Sequence, residues 1–204
     1  MNAVTPSRLA PRDDTDKTPK PEASGAMSEQ LAYKSRFVLL FGEIDDESAR
    51  RVCERMILLS QASSDPIKMV ISSPGGHVES GDAIHDMIRF VGIPVWTIGS
   101  GWVASAGTHV FLAAPKERRV CLPNTRFMIH QPSGGAGGRA SDIAIQAKEI
   151  IKMRERIARV IAKETGQTFE RVMQDIDRDH WMSAKEAMDY GLVSRVVDKQ
   201  SDLG

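Results

Sequence analysis

Three short and almost uninterrupted apolar segments, at 37–41, 67–72 and 94–98, constrain the fold of this chain more than any other feature. Apolar runs without polar alternation are typical of strands that are buried on both faces of a parallel sheet. Between the first two segments, Ala49, Val52, Met56 and Leu59 recur at the spacing of one helix face. This alternation of strand and helix predicts an α/β fold with mainly parallel strand pairing.

The rest of the chain continues the pattern. We predict further strands at 119–122, 126–130 and 192–197, and helices at 79–90, 110–112, 140–165, 168–177 and 183–190. The helix at 140–165 is the longest, and Gly166 is placed to end it.

The domain organisation follows from composition. Residues 1–33 form a tail in which prolines alternate with polar residues, so little is available for burial. This tail is either disordered or a removable pro-segment or gating tail. We predict a single domain at 34–198, long enough for its own core, and a C-terminal tail at 199–204.

Charge and hydropathy exclude several classes of function. Lys+Arg and Asp+Glu both number 27, and no basic run carries interleaved aromatic residues, so we predict no nucleic-acid partner. No apolar run has the length of a membrane span, and the first 20 residues lack a signal-peptide core, which predicts no membrane partner and a cytoplasmic location. Cys53 and Cys121 have no zinc-ligand spacing, so we interpret them as buried free thiols and predict no metal.

The candidate chemistry centres on Ser105, which lies among the small residues Ala104, Ala106 and Gly107 where a helix begins. Taken alone, a serine at this point is a favoured N-cap. As a nucleophile it would need a base and a group that stabilises an oxyanion. The preceding pair Gly75–Gly76 can present consecutive N–H groups, although a tight turn is the simpler interpretation.

A base and an orienting acid are also available. His130 ends an apolar strand, whereas His85 and His109 lie in predicted helices and are interpreted as packing or surface residues. His77 follows the glycine pair and is a weaker candidate for lining the site. A carboxylate that orients the base is needed as well. The candidates, which the residues alone do not separate, are Asp175, Asp177, Asp179 and Asp189.

Taken together, these segments resemble the ClpP family, the proteolytic subunits of ATP-dependent Clp proteases. The matching segments lie in the family's order at 73–76, 104–107, 121–124, 128–132, 178–179 and 190–193. The resemblance implies a ClpP/crotonase-like spiral of βαβ units with a protruding handle helix and strand. It also implies a serine endopeptidase that hydrolyses peptide bonds of unfolded proteins inside a ring chamber.

The resemblance assigns roles to individual residues. Ser105 would be the nucleophile, His130 the general base and Asp179 the orienting acid. The N–H groups of Gly76 and Ala106 would form the oxyanion hole. Further implied positions are Gly134 and Gly135, which would pair with substrate as an added strand, and Asp142 and Arg178, which would pair across the contact between rings.

The implied partners are further copies of the chain, in a tetradecamer of two heptameric rings, and a Clp-type AAA+ ATPase. The chain itself would need no cofactor, because the ATPase uses the ATP. Lys68 and Val70 replace aromatic docking residues of the family, and Ser100 stands where the family usually has methionine. The N-terminal segment does not match the family's gate loops and first helix. We therefore expect a divergent paralogue that forms mixed rings or uses an unusual gate.

Two other functions stay open. One is a regulatory ring subunit that acts with a catalytic paralogue. The other is a crotonase-type acyl-CoA enzyme, which would use the two N–H groups but would give Ser105, His130 and Asp179 no joint role.

Overall fold

The computed structural model describes residues 27, 30, 31, 33–134 and 137–203. Within them, the strands are β1 (Phe37–Phe41), β2 (Ile67–Ser73), β3 (Val95–Ala104), β4 (Arg119–Cys121), β5 (Arg126–Ile129), β6 (His180–Ser183) and β7 (Arg195–Val196). The α-helices are α1 (Asp46–Ala62), α2 (Val78–Phe90), α3 (Ala106–Phe111), α4 (Ala140–Thr165), α5 (Phe169–Asp175) and α6 (Ala184–Tyr190). Short 3₁₀ helices cover Lys116–Arg118 and Gln200–Leu203.

The strands form one sheet in the order β1-β2-β3-β4-β7, and β5 pairs with both β3 and β6. All pairs are parallel except β5 with β6. Besides β2, the long strand β3 pairs with two further strands: its residues 97–99 pair with β4, and its residues 102–104 pair with β5. The end of β3 therefore lies beside β5, and this pairing sets the position of the candidate site.

The helix ends follow the predicted signals. Asp45 caps α1 and forms a capping box with Ser48. Thr168 caps α5, and Ser183 caps α6. Gly166 ends α4 in the left-handed conformation, with φ 81°. Residues 140–149 of α4 are exposed, so the first turns of this helix stand away from the sheet as expected of a handle helix.

Described residues of both predicted tails contact the domain. The described residues at 27, 30, 31 and 33 are helical, and the hydroxyl of Tyr33 donates a hydrogen bond to the carbonyl of Leu58 at 3.2 Å. The rest of the predicted tail 1–33 lies outside the described residues. At the other end, Leu203 is buried against Ile98, Val120 and Val197, so 199–203 is packed onto the domain because it carries an apolar anchor.

Candidate active site

Ser105 occupies a sharp turn between the end of β3 and the start of α3. Its backbone has φ 54° and ψ −123°, a conformation that is rare for residues with a side chain. Its N–H donates to the carbonyl of Met128 at 2.9 Å, which ties the turn to β5. The side chain makes no capping hydrogen bond. The simple interpretation of Ser105 as an N-cap is therefore wrong, because its hydroxyl points to another partner.

That partner is His130, the first residue after β5. Its Nε2 lies 2.8 Å from Oγ of Ser105, and its Nδ1 lies 3.1 Å from Oδ1 of Asp179. Asp179 immediately precedes β6, and the antiparallel register pairs Ile129 with His180. The two strand ends thus bring the imidazole and the carboxylate together. An imidazole held in this way can accept a proton from the hydroxyl while the carboxylate holds its other nitrogen.

The other candidate acids lie elsewhere and have their own partners. Asp175 accepts hydrogen bonds from Tyr190 and Arg171, and burial is the main reason why the pKa of Tyr190 is raised. Two of the candidates bind neighbouring basic or amide groups: Asp177 contacts Gln131 and Arg154, and Asp189 contacts Lys185. Of the four acids predicted as candidates, the structure brings Asp179 to His130.

His77 is half-exposed and lies away from Ser105. Its Nδ1 is 2.8 Å from Oγ of Ser80, and its Nε2 is 3.1 Å from Glu79. It does not line the pocket beside Ser105 that is described below. Its local contacts hold it over the first turn of α2, and the prediction that it lines the site stays a prediction.

The glycine pair lies directly against the Ser105 turn. A Cβ atom on Gly75 would lie 2.6 Å from Cβ of Ser105 and 2.9 Å from the nitrogen of Ala106. A Cβ atom on Gly76 would lie 2.2 Å from the carbonyl oxygen of Ile44. Both glycines also have positive φ angles, of 96° and 147°. Only glycine fits at these two positions, and the absence of a Cβ atom lets the backbone of Gly75 lie directly against the Ser105 turn.

Ala106 is the first residue of α3, so its N–H has no acceptor within the helix. Around Gly76, the neighbouring groups are already used: the carbonyl of Gly75 accepts from Ile44, and the N–H of His77 donates to Ile44. The N–H of Gly76 is not among these bonds. The local arrangement is therefore compatible with two donors beside Ser105.

A small pocket opens beside Ser105 and His130. Its lining is mostly apolar and suits an aliphatic side chain. The apolar residues of the lining are Val78, Ala106, Ile129, Pro132, Ile157 and Ile161. Thr108 and His109 also line this pocket, and the sequence provided no functional signal for either.

His109, which lines the pocket, belongs to a partly exposed polar network with Asp82 and Arg156. Arg156 donates two hydrogen bonds to Asp82, at 2.7 and 2.6 Å. Nε2 of His109 lies 2.9 Å from the same carboxylate, away from the straight line that a hydrogen bond prefers. Burial acts to raise the pKa of Asp82, but the contacts and charges of His109 and Arg156 outweigh it and hold that pKa well below its usual range.

The ring of His85 stacks on the ring of His109, with 4.4 Å between the centroids and 12° between the planes. Both rings are buried. Burial, and then the charge of nearby His109, lowers the pKa of His85 from 6.5 to about 4. Both histidines are therefore packing residues, as predicted, and neither is exposed at the surface.

The remaining predicted site residues are not brought to Ser105 by observed contacts. Gly134 lies outside the strands, and Gly135 lies outside the described residues. Asp142 and Arg178 are exposed, and neither forms an ion pair with any residue that the structure describes. Their predicted roles in substrate pairing and between rings stay predictions.

Several observations concern cofactors and membranes. Within the described ranges, no group of three or more His, Cys, Asp or Glu side chains is arranged to hold a metal ion. None of the described helices combines the length and apolarity that a membrane span needs. Both cysteines are free thiols, and burial raises the pKa of Cys121 to about 11, whereas Cys53 is only half-buried.

Comparison with known proteins decides the family. The family model described as Clp protease matches residues 21–200. The chain belongs to the Clp protease family. Among curated Clp relatives, the ATP-dependent Clp protease proteolytic subunit 3 of Rhizobium johnstonii is 55% identical over 191 residues, which cover 94% of this chain and 98% of the relative. The ATP-dependent Clp protease proteolytic subunit 2 of Pseudomonas aeruginosa is 48% identical over 181 residues, which cover 89% of this chain and 90% of the relative.

Solved structures of Clp proteins agree. ClpP1 from Listeria monocytogenes matches with a TM-score of 0.79 and 49% identity, covering 87% of this chain and 99% of that one. A mutant of the same Listeria protein matches with a TM-score of 0.82 and 50% identity over the same shares. The resemblance to the ClpP family and the predicted ClpP/crotonase-like α/β fold are confirmed, and the chain is a Clp-type serine peptidase.

Proposed function

We propose that Ser105, His130 and Asp179 are the nucleophile, the general base and the orienting acid of this peptidase. The observation that carries the proposal is the 2.8 Å contact between Oγ of Ser105 and Nε2 of His130 at a strained strand-to-helix turn. The contact at 3.1 Å from His130 to Asp179 supports the third role. Asp179 would hold the imidazole in one tautomer and stabilise the imidazolium.

In the proposed reaction, Oγ of Ser105 attacks the carbonyl carbon of a peptide bond as its proton passes to Nε2 of His130. The carbonyl oxygen becomes an oxyanion, which accepts hydrogen bonds from the N–H groups of Gly76 and Ala106. The imidazolium then gives its proton to the leaving amine, and an acyl-enzyme remains. Water, deprotonated by His130, attacks the acyl carbon and releases the carboxylic acid product and the free serine.

The substrate in this proposal is an unfolded polypeptide. One side chain next to the scissile bond would enter the apolar pocket beside Ser105, and the substrate backbone would pair with Gly134 and Gly135. The chemistry uses side chains and backbone groups of this chain, and we propose that it needs no cofactor. The partner ATPase would use the ATP.

We also propose that the chain works in an oligomeric chamber with a Clp-type AAA+ ATPase. The relatives are named proteolytic subunits of ATP-dependent Clp proteases. Their names carry subunit numbers, 2 and 3, which supports a catalytic paralogue as a further partner. A tetradecamer of two heptameric rings, with Asp142 and Arg178 paired across them, is the expected assembly. We keep a cytoplasmic location as a prediction.

The roles are tested with a fluorophosphonate probe, which forms a bond between phosphorus and Oγ of the active serine and releases fluoride. Wild-type protein is expected to be labelled, and Ser105→Ala is expected to lose the label. Ser100→Ala is a control, because Ser100 lies in β3 upstream of the turn. Labelling of Ser105→Ala at the wild-type rate would overturn the assignment of the nucleophile.

The partners are tested by native mass together with hydrolysis of a fluorogenic peptide, with and without a Clp ATPase and a paralogue. Peptide hydrolysis by the protein alone would contradict a purely regulatory subunit. Activity that requires a paralogue while Ser105→Ala leaves it unchanged would support the regulatory function. Turnover of acyl-CoA without peptidase activity would favour the crotonase-type function.

A further inference from the structure

Thr108 is a buried threonine, 1% exposed, in the first turn of α3. Its hydroxyl Oγ1 lies 2.8 Å from the carbonyl oxygen of Val103 and 2.9 Å from that of Met128. A hydroxyl has a single hydrogen, which is here shared between two acceptors in a bifurcated bond. No other side chain in the described residues bonds to these two carbonyls.

The two acceptors belong to the strands that deliver the reacting groups. Val103 lies two residues before Ser105 at the end of β3, and Met128 lies two residues before His130 near the end of β5. The carbonyl of Met128 also accepts the N–H of Ser105 at 2.9 Å. One side chain thus links the ends of both strands to the first turn of the helix that follows the serine.

This link matters because the Ser105 backbone is strained. A non-glycine residue at positive φ is strained, and it persists only where the surroundings hold it. The hydrogen bonds of Thr108 are part of those surroundings, and they act on both sides of the contact between Ser105 and His130. The rate of a reaction falls steeply when the reacting groups are misplaced by about an ångström.

We propose that Thr108 is a positioning residue for the peptidase reaction: its hydroxyl holds the ends of β3 and β5 so that Oγ of Ser105 stays within proton-transfer distance of Nε2 of His130. The proposal rests on the proposed roles of Ser105 and His130. It assigns Thr108 no contact with the reacting atoms.

Thr108→Val tests the hydroxyl, because valine keeps the shape of threonine and removes the donor. We expect kcat for a fluorogenic peptide to fall about 10- to 100-fold while KM changes by less than about threefold, since the apolar pocket is retained. The rate of fluorophosphonate labelling should fall by a similar factor. Thr108→Ser restores the hydroxyl and should recover most of the rate.

Thr97→Val is the matched control. Thr97 is also a buried threonine, and its hydroxyl donates to the carbonyl of Phe111 at 2.9 Å, at the other end of the same helix α3. Its substitution should lower Tm by an amount similar to that of Thr108→Val and leave kcat within about twofold of wild type. The comparison separates loss of positioning from loss of stability.

Three outcomes would overturn the inference: Thr108→Val with full kcat, Thr108→Ser without recovery, or equal losses of kcat in Thr108→Val and Thr97→Val. If Thr108→Val does not fold, Thr108→Ala replaces it with the same expectations. The proposed role of Ser105 has its own test, because labelling of Ser105→Ala at the wild-type rate would refute it. If labelling requires Ser105 and Thr108→Val keeps full activity, only the role of Thr108 is refuted.

Discussion

The stacked histidines behind the pocket predict a specific acid sensitivity. His85 is buried, its Nε2 has no hydrogen-bond partner, and its pKa is lowered from 6.5 to about 4. The groups around it are Asp86 and Arg89 on its own helix and His109 on α3. In the folded chain it therefore stays neutral at pH values where an unfolded histidine would bind a proton.

The sign follows from proton linkage. Below pH 6.5 the unfolded chain binds a proton at His85 and the folded chain does not, so falling pH favours unfolding until the folded group also titrates near pH 4. A pKa unit corresponds to about 1.4 kcal/mol, so His85 alone removes roughly 3 kcal/mol of folding free energy across this window. The contribution of neutral, buried His85 to the free energy of unfolding is fully present above pH 6.5 and falls as the pH drops below it.

His85→Phe removes the titrating group and keeps an aromatic ring stacked on His109. We expect its free energy of unfolding at pH 7.5 to lie within about 1 kcal/mol of wild type, because the substitution also removes an unpartnered buried nitrogen. At pH 4.5 the variant should be the more stable protein by roughly 2–3 kcal/mol. Urea denaturation at one fixed protein concentration, from pH 4.5 to 7.5, measures both curves.

Comparing wild type with His85→Phe cancels the acid sensitivity that residues distant from His85 contribute. A difference between the two proteins that does not change with pH would refute the argument, as would a change in the opposite direction. Titration of the His85 ring by NMR gives a second readout, in which a midpoint above about pH 6 contradicts the lowered pKa.

Two further predictions concern the glycine pair and the C-terminal end. Gly75→Ala should reduce peptidase activity at least about 100-fold, because its Cβ would lie 2.6 Å from Cβ of Ser105. Gly166→Ala is the control and should keep activity, because Gly166 is also at positive φ but has open space around it. Equal losses of activity in both variants would contradict the steric argument. Leu203→Ala should lower the free energy of unfolding by about 2 kcal/mol, measured by urea denaturation, because the Leu203 side chain is only 4% exposed. A change below about 0.5 kcal/mol would instead support a loose C-terminal tail.

The sequence predicts the layered core well, because continuous apolar runs and helix-spaced apolar residues leave few alternatives. It underestimates the length of β3, because glycines normally weaken a strand. In the structure β3 continues through Gly99 and Gly101 to Ala104. Strand β6 has no period-two pattern and gains its structure from pairing with β5. The predicted strand 192–197 shortens to Arg195–Val196, the two residues that pair in register with Val120 and Cys121 of β4. The flanking residues Ser194 and Val197 still donate backbone hydrogen bonds to β4 carbonyls.

The site shows a similar limit. Local rules favour a cap for Ser105, and only the tertiary contact with His130 gives the hydroxyl a different partner. Residue types alone do not separate Asp179 from the other three acids, because the choice depends on the register between β5 and β6. Thr108 has no local signal at all, since its two acceptors lie on different strands.

The antiparallel pairing of β5 with β6 also bears on synthesis at the ribosome. Ser105 and His130 leave the exit tunnel before Asp179, and the contact between His130 and Asp179 spans 49 residues of chain. Long-range pairing of this kind forms late, after loop closure. A nascent chain that ends before Asp179 therefore holds Ser105 and His130 without the carboxylate proposed to orient the imidazole, so the proposed site would be complete only once Asp179 has been translated.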